Sequence, residues 1–314
     1  MVVISNLAGS RVANSLREKF VAWWHGYDMD GLEEGLLGPI SAPATGEREI
    51  AQPSGKGEWT VERVGAVQTV FGAGADSPLA FARVAELIKP LGMNEQMSVL
   101  EIGSGLGVGL RVVAQEAGAW IDGIEYNPSL VEESNRLISG DGLQKKAVPT
   151  SQHIDSELIR KRRRDVVISR DALHQFPERD DLLQSILAVI KPSGQFLYTD
   201  FMVDFDARQD AVQDWCEMHP ALPTLRSLDQ ARQELIDLGF DVRVARDETA
   251  EYIAHVLAAL KEFAGGLKNK PVGVEMRDWV IWEVEYWART VAALESGGLR
   301  HCRIHAVSPI EEEL

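Results

Sequence analysis

The sequence predicts an α/β protein built on a mostly parallel sheet, and three observations carry that prediction. Short apolar runs alternate with helical segments from about residue 98 to residue 246. The first of these runs leads straight into closely spaced glycines and then a helix. The last run, 299–307, follows a Ser296-Gly297-Gly298 turn and has no crossover helix behind it. Strands joined through helices pair in parallel with right-handed crossovers, whereas the final strand is free to lie antiparallel.

Taken in order, residues 11–37 read as helical, because Val12, Leu16, Phe20, Trp23 and Trp24 recur at three- and four-residue spacing. Residues 38–57 are rich in Pro, Gly and Ser and read as a linker. A short segment around 61–70 follows. The strands expected next are 98–102, 119–125, 146–149, 165–169, 195–200, 240–246 and 299–307. Between them, helices are expected at 106–117, at 128–138 with Pro128 in its first turn, and at 180–190, where Leu182, Leu183, Ile186, Leu187 and Ile190 form one apolar stripe. Lys191-Pro192-Ser193-Gly194 stops that last helix. A further helix, 228–238, ends at Gly239, a left-handed stop. A long helix is expected near 279–294. The division expected is an N-terminal helical segment and linker, 1–64, and one domain, 65–314, with cap insertions near 202–227 and 250–295.

Composition narrows the function. The 314 residues are 45% hydrophobic and 25% charged, ordinary for a globular chain. The formal net charge of −16 repels a phosphate backbone, so no nucleic-acid partner is expected. The run Arg160-Lys161-Arg162-Arg163-Arg164 is the local exception; it reads as a solvated helix end or as a docking patch for an anion. No apolar run is long enough to span a membrane, and the start lacks the pattern of a secretion signal. Two cysteines, Cys216 and Cys302, make neither a disulfide framework nor a zinc set. His301 and His305 share a strand face, but no third ligand is evident, so no metal is expected. A cytoplasmic location fits these features.

The sharpest local feature is Val99-Leu100-Glu101-Ile102-Gly103-Ser104-Gly105-Leu106-Gly107. Glycine permits positive φ and leaves room for a ligand, and ligands on open α/β sheets bind at the carboxyl ends of the strands. Glu125, at the end of the second strand, can accept hydrogen bonds from both ribose hydroxyls of an adenosyl cofactor. That much fits a dinucleotide as well. Two details tilt the choice. Glu101 precedes the first glycine by two residues, where it faces an ammonium and repels a pyrophosphate. The glycines also follow G-x-G-x-G instead of G-x-G-x-x-G.

These residues, with the order of the elements and Lys191-Pro192-Ser193-Gly194-Gln195-Phe196-Leu197, resemble the class I S-adenosylmethionine-dependent methyltransferases over about residues 65–307. The resemblance implies a Rossmann-like, seven-stranded sheet with its last strand antiparallel. It implies that Glu101, Gly103, Ser104 and Gly105 hold the methionine end of S-adenosylmethionine, and that Glu125, with Tyr126 and Asn127, holds the ribose. For Glu101 a helix-capping role at the strand end is the alternative. Gln152 or His153 is the candidate acceptor from the adenine amino group, with Ile154 against the ring; a plain surface histidine is the alternative for His153.

Ile168-Ser169-Arg170-Asp171-Ala172-Leu173-His174 resembles the corresponding segment of the phosphoethanolamine N-methyltransferases and related small-molecule enzymes. That resemblance implies an active site made by Arg170, Asp171 and His174, with Arg170 also at the cofactor. The histidine comes three residues after the aspartate, where the family usually has four. Phe71-Gly72 and Ser77 are similar to the family's lid over the cofactor, without the tyrosine expected before the phenylalanine. His174 is expected to act as a base or as an orienting group, or else to cap the next helix.

The expected function is methyl transfer to a small-molecule acceptor, with an amine or phospho-base nitrogen ahead of oxygen or sulfur. An NAD(P)-dependent oxidoreductase and a non-catalytic S-adenosylmethionine-binding protein are the alternatives. Substrate selection is expected from Trp23, Trp24 and Tyr27, from Trp215, Cys216, Met218, His219 and Pro220, and from Trp279, Trp282, Tyr286 and Trp287. Aromatic faces attract cationic amines, although such residues at helical spacing also form core or the contact of a homodimer.

Overall fold

In the computed structural model, residues 57–154, 162–266 and 274–310 are described. The helix expected over 11–37, with Trp23, Trp24 and Tyr27, lies outside them, as do Arg160 and Lys161 of the basic run.

Seven strands form one sheet: β1 (Ser98–Ile102), β2 (Trp120–Ile124), β3 (Ala147–Thr150), β4 (Arg164–Arg170), β5 (Ile190–Val203), β6 (Asp241–Asp247) and β7 (Leu299–Val307). Their spatial order is β3-β2-β1-β4-β5-β7-β6. β1 to β5 are mutually parallel, and β7 runs antiparallel between β5 and β6. The expected sheet and its antiparallel last strand are both present. Strand order reverses between β1 and β4, which places the topological switch point, and so the ligand crevice, at the carboxyl ends of those two strands.

Two helical layers cover the sheet. On one face lie α2 (Ala80–Ile88), α3 (Val108–Val112) and α4 (Pro128–Gly140), burying Val84, Ile88, Leu110 and Ile138 against Val99, Ile121 and Val166. On the other lie α5 (Arg179–Val189) and α7 (Leu228–Asp237), whose Leu182, Leu183, Ile186, Ala231 and Leu235 pack on Leu100, Val167, Phe196 and Ile304. Local chemistry sets the ends. The Asn127 side chain accepts from the Ser129 and Leu130 amides to start α4, and Ser227 with Gln230 forms a capping box at α7. α3 passes into a π turn, Val113–Ala117, and stops at Gly118 in the left-handed region.

Two segments of the sheet differ from expectation. β5 begins at Ile190 because that residue already pairs with Arg164, and the pairing resumes at Gln195 after Lys191-Pro192-Ser193-Gly194 bulges out. The basic run likewise ends inside the sheet instead of in solvent: Arg164 is buried in β4 and ion-paired with Asp122.

A second core stands over the carboxyl ends of the strands. It joins α1 (Val61–Phe71), α6 (Asp210–Cys216), α8 (Thr249–Gly266) and α9 (Val274–Glu295) through Val70, Trp215, Tyr252, Val256, Phe263, Trp279, Val280 and Trp287. Residues 250–295 therefore hold two helices, where one long helix was expected. α8 carries a stripe of its own, with Tyr252, Val256, Ala259, Leu260 and Phe263 buried.

Candidate functional site

The turn after β1 is held from behind. The Gly103 and Ser104 amides both donate to the Ile124 carbonyl, and the Gly107 amide to the Ser104 carbonyl. Gly103 and Gly105 have φ of 70° and 53°. A β-carbon at Gly103 would strike Ala172, and one at Gly105 would come within 2.6 Å of an Asp76 oxygen. Only glycine fits both the conformation and the space.

Glu125 reaches back over this turn. Its two oxygens accept from the Gly105 amide at 3.1 Å and the Asn127 amide at 2.9 Å. Burial pushes its carboxyl above the ordinary value, and those amides pull it partly back. Each oxygen keeps a lone pair for a ribose hydroxyl. The Leu106 amide donates to Asp76 at 3.3 Å, so a second carboxylate stands beside the turn.

Glu101 lies beneath the turn, fully buried. One oxygen accepts from Arg170 Nε at 2.7 Å, and the other has no hydrogen-bond partner among the described residues. Burial raises its carboxyl above the ordinary range, opposed by Arg170. The direct grip on a cofactor ammonium expected of Glu101 is in this geometry a grip on Arg170, whose side chain lines the cleft.

Asp171 occupies the switch point opposite, at φ 52°, a left-handed conformation that aspartate tolerates better than most residues. One oxygen meets the Thr199 hydroxyl at 2.6 Å and His301 Nε2 at 2.8 Å; the other meets the Tyr252 hydroxyl at 3.4 Å and Arg83 at 4.0 Å. Burial by itself would raise this carboxyl. The His301 imidazole, Arg83 and Thr199 instead hold it well below the usual carboxylate range. Tyr252 stacks on His301 at 3.8 Å between ring centroids and carries Arg83 on its ring at 4.4 Å.

One cleft of 620 Å³ runs from Gly103, Gly105, Glu125, Tyr126 and Asn127 past Asp171 to the helical cap. The cap end is walled by Phe201, His219, Tyr252, Trp282, Tyr286 and Trp287. Arg63 closes it from α1. Its guanidinium lies between the Trp59 and Trp282 rings, 3.9 and 4.1 Å from their centroids, and Nε donates to Glu283 at 2.7 Å. Ser77 lines the cleft, while Phe71 packs edge-on against Trp287 at 5.4 Å.

His174 does not line this cleft. It is 1% exposed, in a 3₁₀ turn, with Nδ1 2.6 Å from Asp200, and its ring packs on Phe201, Trp215 and His219. Asp200 is held in turn by Arg179, which also binds Glu234. Gln152 and His153 are exposed and also lie outside the cleft wall; His153 instead packs against Tyr126 at 5.1 Å. Ile154 is buried in the sheet core. Phe176, which the sequence analysis did not single out, takes the position beside Tyr126, 5.9 Å away, and lines the cleft. Its signal was local: it closes the turn that begins at Asp171. Tyr252 and His301 were legible only as an apolar-stripe residue and a strand histidine. Among the described residues, no cluster of three His, Cys, Asp or Glu side chains has the geometry of a metal site.

His219 shows what burial does in this wall. Burial and the neighbouring His174 lower its imidazole to about 3. Between pH 6.5 and 3 the unfolded chain binds this proton and the folded chain does not, so stability falls as the pH drops through that window. Thermal melts at pH 7 and pH 5 are expected to show a smaller acid-induced fall in Tm for His219→Phe than for the unaltered protein.

Comparison with known proteins gives the family. The sequence profile of a family described as "Methyltransferase domain" matches residues 78–244, more than half of the chain. Phosphoethanolamine N-methyltransferase of Plasmodium falciparum is 29% identical over 146 residues, covering 46% of this chain and 54% of that protein. Sarcosine/dimethylglycine N-methyltransferase of Halorhodospira halochloris is 24% identical over 55% of this chain and 61% of that protein. The chain thus spans about half the length of the curated relatives it matches. Among solved structures, phosphoethanolamine N-methyltransferase 2 of Haemonchus contortus, in complex with phosphomonomethylethanolamine and S-adenosylhomocysteine, superposes with a TM-score of 0.69 at 19% identity, covering 80% of this chain and 58% of that one. At that identity the likeness is one of fold.

Proposed function

The chain belongs to the methyltransferase-domain family, and on that premise we propose that it moves the methyl group of S-adenosylmethionine to a small-molecule acceptor, an amine or phospho-base nitrogen. The observation that carries this reading is a single cleft with two chemically different ends. One end has a glycine turn and a carboxylate with lone pairs to spare. The other has an aromatic collar with an ionised aspartate at its mouth.

The cofactor fits the first end. Gly103 and Gly105 leave room where the methionine moiety approaches the backbone, Glu125 accepts the ribose hydroxyls, and Tyr126 with Phe176 borders the adenine. Arg170, held by Glu101, presents its guanidinium to the carboxylate of the methionine moiety. The collar suits an amine acceptor and the ammonium that it becomes on methylation, because aromatic faces attract ammonium groups. Methyl transfer is an in-line displacement, so the protein's work is alignment, worth about 7–11 kcal/mol in well-oriented cases. As the methyl moves, positive charge passes from sulfur to the acceptor nitrogen. Asp171 stands where that charge arrives.

Of the roles expected of His174, this reading takes the orienting one. Its buried pair with Asp200 fixes the wall behind the collar. His174→Gln is expected to lower turnover by roughly tenfold or more while S-adenosylhomocysteine affinity, measured by calorimetry, stays within a factor of about three. An equal loss in both would remove the histidine from the chemistry.

No nucleic-acid partner belongs to this reading, since the net charge of −16 opposes one. Among the described residues no helix is long and apolar enough to cross a membrane, and both cysteines are free. A reducing, cytoplasmic setting is proposed on that basis. The direct test incubates the protein with methyl-labelled S-adenosylmethionine and phosphoethanolamine, sarcosine or dimethylglycine. A labelled product and S-adenosylhomocysteine in equal amounts would support the reading. Tight cofactor binding without transfer to these or to hydroxyl and thiol acceptors would favour a non-catalytic binding protein.

A further inference from the structure

We infer that His219 touches the methyl acceptor, its Nε2 accepting a hydrogen from the nucleophile so that the nucleophile's lone pair points at the cofactor methyl. The inference deepens the reading above and rests on it. It moves the direct contact with the acceptor from His174 to a residue of the cap.

Four observations lead there. His219 belongs to the wall of the cleft, whereas His174 is sealed behind it. His219 follows α6, and its Nδ1 lies 3.2 Å from the Trp215 carbonyl. A carbonyl only accepts, so Nδ1 carries the proton, and Nε2 is left with the lone pair. That Nε2 is buried and has no hydrogen-bond partner among the described residues. A buried acceptor without a donor costs about 1–3 kcal/mol, and a ligand N–H would satisfy it.

The surroundings hold the ring in that state. The Trp215 ring is 4.3 Å away and the Tyr286 ring 5.5 Å. His174 faces it at 5.7 Å from the 3₁₀ turn, and Arg63 acts on it from α1. An imidazolium here would oppose both the sulfonium and the ammonium that the transfer forms. A neutral ring with one free lone pair opposes neither. It takes no proton in the transfer step: the nitrogen–methyl bond forms as the carbon–sulfur bond breaks, the electron pair stays on sulfur, and the hydrogen remains on the acceptor nitrogen, bonded to Nε2.

The same arrangement explains a division of labour. His174 Nδ1 is bound to Asp200, which leaves its own Nε2 on the side away from that carboxylate. The two imidazoles thus pack against one another, the inner one positioned by a carboxylate and the outer one by a main-chain carbonyl. The inner histidine is a positioning residue for the outer.

The test joins nitrogen NMR of ¹⁵N-histidine-labelled protein, loaded with S-adenosylhomocysteine, to kinetics of His219→Phe and His219→Gln. Between pH 5 and pH 8, across which His174, Arg63 and Tyr286 are the polar groups facing the ring, His219 is expected to stay neutral with its proton on Nδ1. Adding sarcosine or phosphoethanolamine should move the Nε2 resonance as it accepts a hydrogen bond. His219→Phe, which keeps a ring, should lose roughly 10- to 100-fold in kcat/KM. His219→Gln, which keeps an acceptor near the same place, should recover part of it, and cofactor affinity should be unchanged in both. A proton on Nε2, an imidazolium at pH 7, or unaltered kcat/KM in His219→Phe would overturn the inference. If the unaltered protein methylated none of the amines, the amine reading would fall, and the tautomer would still decide the state assigned to His219.

Discussion

Asp171→Asn is expected to lower kcat by roughly 10²- to 10³-fold, the range for removing one preorganised charge that acts on a transition state. The aspartate is the ionised group that bridges the cofactor end of the cleft and the aromatic collar. Asparagine tolerates the left-handed backbone at this position and keeps an oxygen for Thr199, so the fold should survive. The loss of charge removes what stabilises positive charge as it passes from sulfur to the acceptor. S-adenosylhomocysteine carries no sulfonium, so its affinity should change by no more than about threefold. Single-turnover kinetics with calorimetry separates the two quantities. A parallel loss of both would mean that Asp171 only supports the architecture of Arg83, Tyr252 and His301.

Glu125→Ala should do the reverse. It removes the acceptor of two main-chain amides, those of Gly105 and Asn127, as well as the ribose acceptor. Each buried group left without a partner costs about 1–3 kcal/mol, so the dissociation constant for S-adenosylhomocysteine should rise by roughly 100-fold or more. With cofactor at saturation, turnover should recover most of its value, because Glu125 does not reach the collar where the acceptor lies. Glu125→Gln keeps one acceptor oxygen and should fall between. A Glu125→Ala protein that still bound the cofactor as tightly as the parent would remove this carboxylate from the site.

Much of the framework was legible because it is written in local chemistry. The glycine turn could be read from three residues whose φ values are all positive, and Asn127 before Pro128 marked the start of α4. β7 was placed to the residue, since its turn, its alternation and its lack of a following crossover are all sequence features. β5 was read too short because pairing with Arg164 across a bulge is a contact between strands 26 residues apart. α8 lies in the stretch expected only as a cap insertion, although its stripe of Tyr252, Val256, Ala259, Leu260 and Phe263 has helical spacing.

The site divides in the same way. By itself the sequence determined the sheet, the turn that faces a ligand, the carboxylate after β2, and the placing of Arg170 and Asp171 side by side at the end of β4. Each follows from spacing along one strand and its loop. Only the tertiary structure decided which side chains face the cleft. It put Glu101 under the turn, His174 behind the wall and His153 outside it, brought His219 and Tyr252 into the wall from the cap, and set His301 behind Asp171 from the last strand. The physical reason is that burial and orientation depend on what packs against a residue. For these side chains the packing partners are the cap helices, whose arrangement over the sheet is set by long-range contacts that no local spacing records.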